Sequence, residues 1–216
     1  MNYLQRMHVI STNIGNLTQI TWNGRQLQTG IFKYPTDSPL FLKKEIVAND
    51  AIANRKVHGG IYKACYLFST KHYPYWEKRY PNLNWNWGMF GENLSISDMD
   101  ETYMRIGDIY KIGSALVQIS QPREPCFKLG IRFGTQQILK DFIDHGFPGT
   151  YVKILEEGEV SPEDELILIK PSDNLLTVYQ FFQLLYAKKK DKKVLKLAID
   201  NTALPENKRE GLKKYL

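Results

Sequence analysis

A mainly β fold, a β-barrel with inserted helices followed by a small three-helix C-terminal domain, is what this 216-residue sequence predicts. Two observations predict it. From Met7 to about Lys170, short β-rich apolar runs are broken every ten or so residues by turn signals, as in barrels and sandwiches. After Pro171 the hydrophobic period becomes that of helices. The expected division is 1–170 for the barrel and 171–216 for the helical domain.

Taken in order, the clearest expected strands are Lys63 to Phe68, Tyr103 to Ile112, Ala115 to Ser120, Tyr151 to Leu155 and Leu166 to Ile169. Gly107-Asp108 and Ile112-Gly113-Ser114 read as tight reversals, so antiparallel pairing is expected. Two helices interrupt the strands. Ser69-Thr70 can cap one running through His72, Tyr75 and Trp76. The other follows Gly134-Thr135 over Gln137 to His145, with Ile138, Phe142 and Ile143 on one face and Gly146 as its stop. Beyond Pro171, Thr177 caps a run with Val178, Phe181, Phe182, Leu185 and Tyr186. Asp191 opens a second with Val194, Leu195 and Leu197, and Pro205 a third with Leu212 and Tyr215. Each is short enough to need packing partners.

Composition narrows the class. With 43% hydrophobic residues, 13 Tyr, 10 Phe and 4 Trp, the chain can bury a core without disulfides or a structural metal. Its two cysteines, Cys65 and Cys126, have no CxxC or Cys/His spacing of the zinc-site kind. Met1 to Ile20 lacks a signal-peptide pattern and no run of eighteen apolar residues exists, so the expectation is a cytoplasmic chain with free thiols and no membrane partner. Residues 171–216 hold 10 of the 29 Lys and Arg but 5 of the 23 Asp and Glu, which places +5 of the +6 net charge in the tail. No nucleic-acid motif accompanies it, so nucleic acid is not an expected partner. The Lys188 to Lys196 face reads as solvated, with an acidic protein partner as the alternative.

Four stretches could carry chemistry. In Ser120-Gln121-Pro122-Arg123-Glu124-Pro125-Cys126-Phe127-Lys128-Leu129, a thiol follows two prolines at the apparent end of a strand, between Arg123 and Lys128. Stiffened backbone and nearby cations favour a thiolate, which attacks electrophiles or binds a soft metal. A free cysteine is more often a small buried hydrophobe, but these neighbours favour function. In Val57-His58-Gly59-Gly60-Ile61-Tyr62-Lys63-Ala64, the glycine pair can bring amides close to an anion with His58 and Lys63 beside them, although Gly-Gly is more often a plain turn. Phe90-Gly91-Glu92-Asn93-Leu94 offers Asn93, whose amide could read the edge of a heterocycle, or simply a turn into the next strand. Gly30-Ile31-Phe32-Lys33-Tyr34-Pro35 places Lys33 in an apolar run, where snorkelling is the ordinary behaviour.

Together and in this order, GIFKYP, VHGGIYKA, FGENL, IGDIYKIG and above all SQPREPCFKL resemble MOSC-domain proteins of the bacterial YiiM type, over about residues 7 to 170. The three-helix tail resembles the small helical domain of that subgroup. The resemblance implies a β-barrel that holds molybdenum cofactor (molybdopterin), with Cys126 as the molybdenum ligand. At family level it also carries an association with pyridoxal phosphate. Lys33, His58, Gly59, Gly60, Lys63 and Arg123 become candidates for holding the pterin phosphate, and Asn93 for the pterin or substrate. His58, Lys63, Asn93, Arg123 and Cys126 should then line one cavity. One departure concerns the loop before HGG. It often carries several acidic residues in such proteins, and Ala48 to Asn54 retains only Asp50.

The implied activity is reduction of small N-hydroxylated compounds, including hydroxylaminopurine-like base analogues, to amines. The chain shows no flavin, haem or iron–sulfur signature, so a separate reductase is expected as electron donor. Two alternatives are a sulfur carrier using a Cys126 persulfide and a non-enzymatic cofactor-binding module. The sequence leaves oligomeric state open.

Overall fold

A computed structural model of the chain describes residues 6–51, 53 and 59–216. Twelve strands and six α-helices follow one another among them. The strands are β1 (Met7–Ile14), β2 (Thr18–Trp22), β3 (Arg25–Thr29), β4 (Tyr34–Pro35), β5 (Leu40–Leu42), β6 (Cys65–Ser69), β7 (Leu94–Ile96), β8 (Ile109–Ile112), β9 (Ala115–Pro122), β10 (Thr150–Glu156), β11 (Gly158–Val160) and β12 (Glu165–Lys170). The helices are α1 (Tyr73–Arg79), α2 (Phe127–Phe133), α3 (Gln137–His145), α4 (Val178–Tyr186), α5 (Lys192–Asp200) and α6 (Glu206–Lys213).

Seven strands close a mixed barrel in the order β12-β8-β9-β10-β6-β7-β1, and β1 pairs back onto β12. Closure leaves no open sheet edge around the ring. Six of the seven contacts are antiparallel, and β6 with β7 is parallel. The barrel is thus mostly antiparallel, as expected, and its one parallel pair has a topological reason. Between β6 and β7 lie α1 and the aromatic loop, a connection long enough to cross over instead of turning back. Gly113-Ser114 is the two-residue turn of the β8–β9 hairpin, in which Ile112 pairs with Ala115. The strand expected from Tyr103 starts only at Ile109. Asp108 is the cause: its carboxylate accepts from Arg105 N at 2.8 Å and from Ser172 N at 2.8 Å, folding the preceding residues into a turn.

Side-chain alternation along β6 organises the interior. Cys65 and Leu67 point into the barrel with Val9, Leu94, Ile112, Val117 and Ile154, whereas Tyr66 and Phe68 point outward. The outward pair meets a second, aromatic core under α1, α2 and α3, built on Trp76, Phe90, Phe133, Phe142 and Phe182. Both faces of β6 are covered, which is why its sequence is an unbroken apolar run instead of an alternation.

The helices after Pro171 start where the sequence places them. Gln180 N donates to Thr177 Oγ1 and Thr177 N to Gln180 Oε1, both at 3.1 Å, a reciprocal capping box for α4. Asp191 Oδ1 caps α5 by accepting from Lys193 N and Val194 N. Phe181, Leu195 and Leu212, one from each helix, belong to the same apolar cluster as Ile106, Val117 and Ile154 of the barrel region. Asn201 Nδ2 also donates to Ile106 O at 3.0 Å. No described helix is long and apolar enough to cross a membrane.

Candidate active site

The cysteine loop leaves the barrel at Pro122, the end of β9, and turns at Arg123, Glu124 and Pro125 into α2. Cys126 is not a strand residue. It is the N-cap of α2, still extended at φ −134° and ψ 168°, and its carbonyl accepts from Leu129 N at 2.8 Å. Pro122 and Pro125 lock the backbone on the way in, and Gly134 in the left-handed region at φ 70° ends the helix. The thiol is partly exposed, and a pocket opens beside it.

The pocket collects residues from five separate stretches of chain: Lys33, Asp50, Lys63, Asn93, Arg123 and Cys126 all line it. Tyr66, Phe90 and Tyr151 supply aromatic wall. His58 lies outside the described residues. Gly60 takes φ 87° in a turn closed by Lys63 N to Gly60 O at 2.9 Å, and neither it nor Gly59 is among the described lining residues.

Arg123 is a buried cation of the site. Its guanidinium lies 5.3 Å from the Tyr66 ring centroid and 5.5 Å from that of Phe142, with 5% of the residue exposed. Burial works against its charge, but Tyr66, Tyr151, Cys126 and Glu92 outweigh it and hold the group above its ordinary value. Its Nη1 is buried without a hydrogen-bond partner. An unmet charged donor is costly unless a ligand meets it. Lys63 lies across the pocket with Nζ 5.9 Å from the Tyr151 ring centroid. Burial and the charge of Lys208 lower its pKa, while Glu124 and Cys126 pull it the other way. Lys128, on the first turn of α2, donates to Gln28 O at 3.1 Å. That bond ties the β2–β3 hairpin to the helix, and Trp22 stacks on Phe127 at 5.1 Å between centroids.

Lys33 and Asn93 reach the pocket with their polar atoms already engaged. Lys33 Nζ is ion-paired with Asp50 Oδ2. Asn93 Nδ2 donates to that same oxygen at 3.0 Å and to Asn13 O at 3.3 Å, while its Oδ1 accepts from Tyr66 N at 3.2 Å. Gly15 N donates to Asp50 Oδ1 at 3.0 Å. Asn93 thus positions β1, β6 and Asp50 and has no donor left for a heterocycle. Sequence reasoning treated Asp50 as a remnant and missed it as the centre of this cluster. Gly30 is what admits it, because a Cβ there would lie 1.8 Å from Ala51 O. Glu92 of the same FGEN stretch is fully buried and shapes the loop, accepting from Gly88 N at 2.9 Å, Phe90 N at 3.0 Å and Ser95 Oγ at 2.9 Å.

The MOSC-domain family profile matches residues 54–167, more than half of the chain and the part that carries both the glycine pair and the cysteine loop. The chain belongs to the MOSC-domain family. The Bacillus subtilis protein YflK is 33% identical over 210 residues, 97% of this chain and 95% of its own length. A Gibberella moniliformis protein named "Reductase" is 34% identical over 68% of this chain but only 27% of its own length. The crystal structure of YiiM from Geobacillus stearothermophilus superposes with a TM-score of 0.81 at 30% identity, covering 97% of this chain and 99% of that one. The fold is therefore the YiiM-type barrel with its helices, and the chain's function is of the molybdenum-cofactor-related kind associated with the family.

The pocket's residues suit that cofactor. A thiol is a soft ligand of the kind molybdenum takes. The unmet Arg123 Nη1, with Lys63 lining the same pocket, fits an anionic group such as a pterin phosphate. Tyr66, Phe90 and Tyr151 give flat walls for a ring system.

Proposed function

We propose that this chain is a molybdenum-cofactor-dependent oxidoreductase that reduces N-hydroxylated compounds, hydroxylaminopurine-like base analogues among them, to amines. The observation that carries the proposal is the buried Arg123 guanidinium, with Nη1 unpartnered, in the same pocket as the partly exposed Cys126. The similarity to a Gibberella moniliformis protein named "Reductase" supports the reaction class. Bound in the pocket, the cofactor would supply the two electrons that cleavage of an N–O bond requires.

The chain's own residues then have distinct tasks. Cys126 anchors the metal as a thiolate, held in place by the prolines before it and the helix after it. Arg123 and Lys63 meet the negative charge of the pterin side chain. The Lys33–Asp50–Asn93 cluster keeps β1, β6 and the Asp50 loop in register, so that the opposite wall is rigid. With no flavin, haem or iron–sulfur signature in the sequence, electrons come from a separate reductase. Free Cys65 and Cys126 suit a reducing cytoplasm.

The test is expression in a host that makes molybdenum cofactor and in one that cannot, followed by metal analysis, pterin fluorescence and a hydroxylaminopurine reduction assay. Molybdenum, pterin and activity from the first host alone are the expected result. Protein that carries sulfane sulfur and no molybdenum from either host would instead favour a persulfide carrier.

A further inference from the structure

A second concavity adjoins the Cys126 pocket and belongs to the C-terminal helices. Phe181, Lys190, Lys208, Lys214 and Tyr215 line it, and its described lining includes no carboxylate. Tyr215 is 43% exposed and lies under two ammonium groups, Lys190 Nζ at 5.3 Å and Lys214 Nζ at 5.0 Å from its centroid. The patch is held in shape from below. Lys192 Nζ donates to Tyr215 O at 2.7 Å and Leu216 O at 2.6 Å, and Lys190 Nζ to the α4 carbonyls of Leu184 at 2.6 Å and Leu185 at 3.0 Å. Lys208 joins the two concavities. It lines the helical groove and is ion-paired with Glu124, which lines the pocket two residues before Cys126.

We propose that this basic, aromatic-floored groove is the docking surface for the electron donor, an acidic flavoprotein. The inference rests on the reductase reading given above. Each turnover converts R–NH–OH, two electrons and two protons into R–NH2 and water, with the N–O bond broken and the donor's reduced flavin oxidised. Those electrons must enter close to Cys126, and the Lys208–Glu124 contact places the groove there. Charge selects the partner. Residues 171–216 carry +5 of the chain's +6, and a field of one sign speeds encounter with a partner of the other sign. The exposed Tyr215 ring gives the docked pair an apolar anchor inside the charged rim. Of the nearby acids, Glu210 is paired with Lys213 and Glu124 with Lys208, which leaves Lys190 and Lys214, both over the Tyr215 ring, as the groove's cations.

The test uses the cofactor-loaded full chain with reduced flavodoxin as the acidic probe and dithionite as a small donor that needs no docking. Lys214→Glu is compared with Lys190→Glu/Lys214→Glu, and molybdenum content and thermal melting establish that both are loaded and folded. The single variant keeps the Lys190 contacts to α4, so it stands if the double does not fold. Flavodoxin-driven kcat/KM should fall on the order of tenfold in the double variant, by less in the single, and in wild type it should fall as ionic strength rises. Dithionite-driven turnover should stay within about twofold of wild type, since no steering acts on it. A titration of flavodoxin onto each protein at low salt should show the same loss of affinity. Equal flavodoxin rates and affinities in wild type and variants, or no flavodoxin binding by wild type, would overturn the docking surface while leaving the reductase reading in place. Wild type that holds molybdenum yet reduces nothing with dithionite would overturn the reductase reading instead, and the binding titration would still decide whether the groove takes an acidic flavoprotein.

Discussion

Lys33 and Asp50 form an ion pair inside the pocket wall, with their side chains 7% and 3% exposed. Asp50 keeps two further donors, Asn93 Nδ2 and Gly15 N, whereas the ion pair is the polar contact that holds Lys33 Nζ. Removing one partner of a buried pair strands the other charge, while removing both need cost little. Lys33→Met should therefore destabilise the fold by about 3–5 kcal/mol, and adding Asp50→Asn should recover at least about 1 kcal/mol of it. Urea unfolding of the two single variants and the double gives the cycle directly.

The two thiols should separate cleanly. Cys65 is 1% exposed inside the barrel, and burial, with Asp50 adding to it, pushes its thiol well above the ordinary range. Cys126 is partly exposed at a helix start in the pocket. A thiol-directed alkylator should modify Cys126 in the cofactor-free protein and reach Cys65 only on unfolding, with mass spectrometry assigning the sites. Cys126→Ser should abolish reduction of N-hydroxylated substrates, because a hydroxyl is a poor ligand for a soft metal. Cys65→Ala should retain most activity and cost about 1 kcal/mol of packing.

The sequence was most legible where a single segment decides its own structure. Gln137 to His145 and the starts after Thr177, Asp191 and Pro205 are set by local caps and a 3.6-residue period, and each helix lies where that pattern puts it. Helix α2 escaped notice because two prolines and an extended N-cap make the approach to Cys126 look like strand, and Gly134, read only as leading into the next helix, is in fact the stop of this one. The β2–β3 hairpin also went unread despite Asn23-Gly24, a dipeptide typical of such turns. In the site, residue types in two motifs marked Cys126 and Arg123 in one and Lys63 in the other. What they could not convey is which polar atoms the fold would consume. The engagement of Asn93 and Lys33 by Asp50 is a long-range fact, fixed by the packing of the Gly30 segment against Ala51.

That close packing makes Gly30 intolerant of a side chain. A methyl group placed 1.8 Å from Ala51 O must displace the loop carrying Asp50, and the loop also lines the pocket through Ala51. Gly30→Ala should lower stability by about 2 kcal/mol or more and reduce cofactor content, read by thermal melting and by molybdenum analysis of the purified protein.

The acid side of the stability profile should be governed by His145. Its Nε2 lies 3.1 Å from His72 Nδ1, Tyr75 stacks on its ring at 4.3 Å, and Trp76 meets it edge-on at 5.0 Å. His72 Nε2 in turn faces the buried Glu101 carboxylate at 3.6 Å, so His145 shares its surroundings with one titratable ring and, beyond it, one carboxylate. Burial first, and the neighbouring His72 second, lower the His145 pKa from 6.5 to about 4. In that interval the unfolded chain binds a proton that the folded chain refuses, so stability rises with pH there. The contribution is fully present above pH 6.5, declines as the pH falls towards about 4, and is constant below. Asp141 acts in a different window. The Arg79 hydrogen bond, joined by those of Tyr80 and Gln137, holds its carboxyl well below the ordinary 3.8, so its contribution is lost only as the pH falls past that value. Replacing His145 with Gln should flatten the melting-temperature profile between pH 6.5 and about 4 and leave the steeper fall at lower pH in place. A profile unchanged across that interval would show that His145 does not set this part of the acid limit.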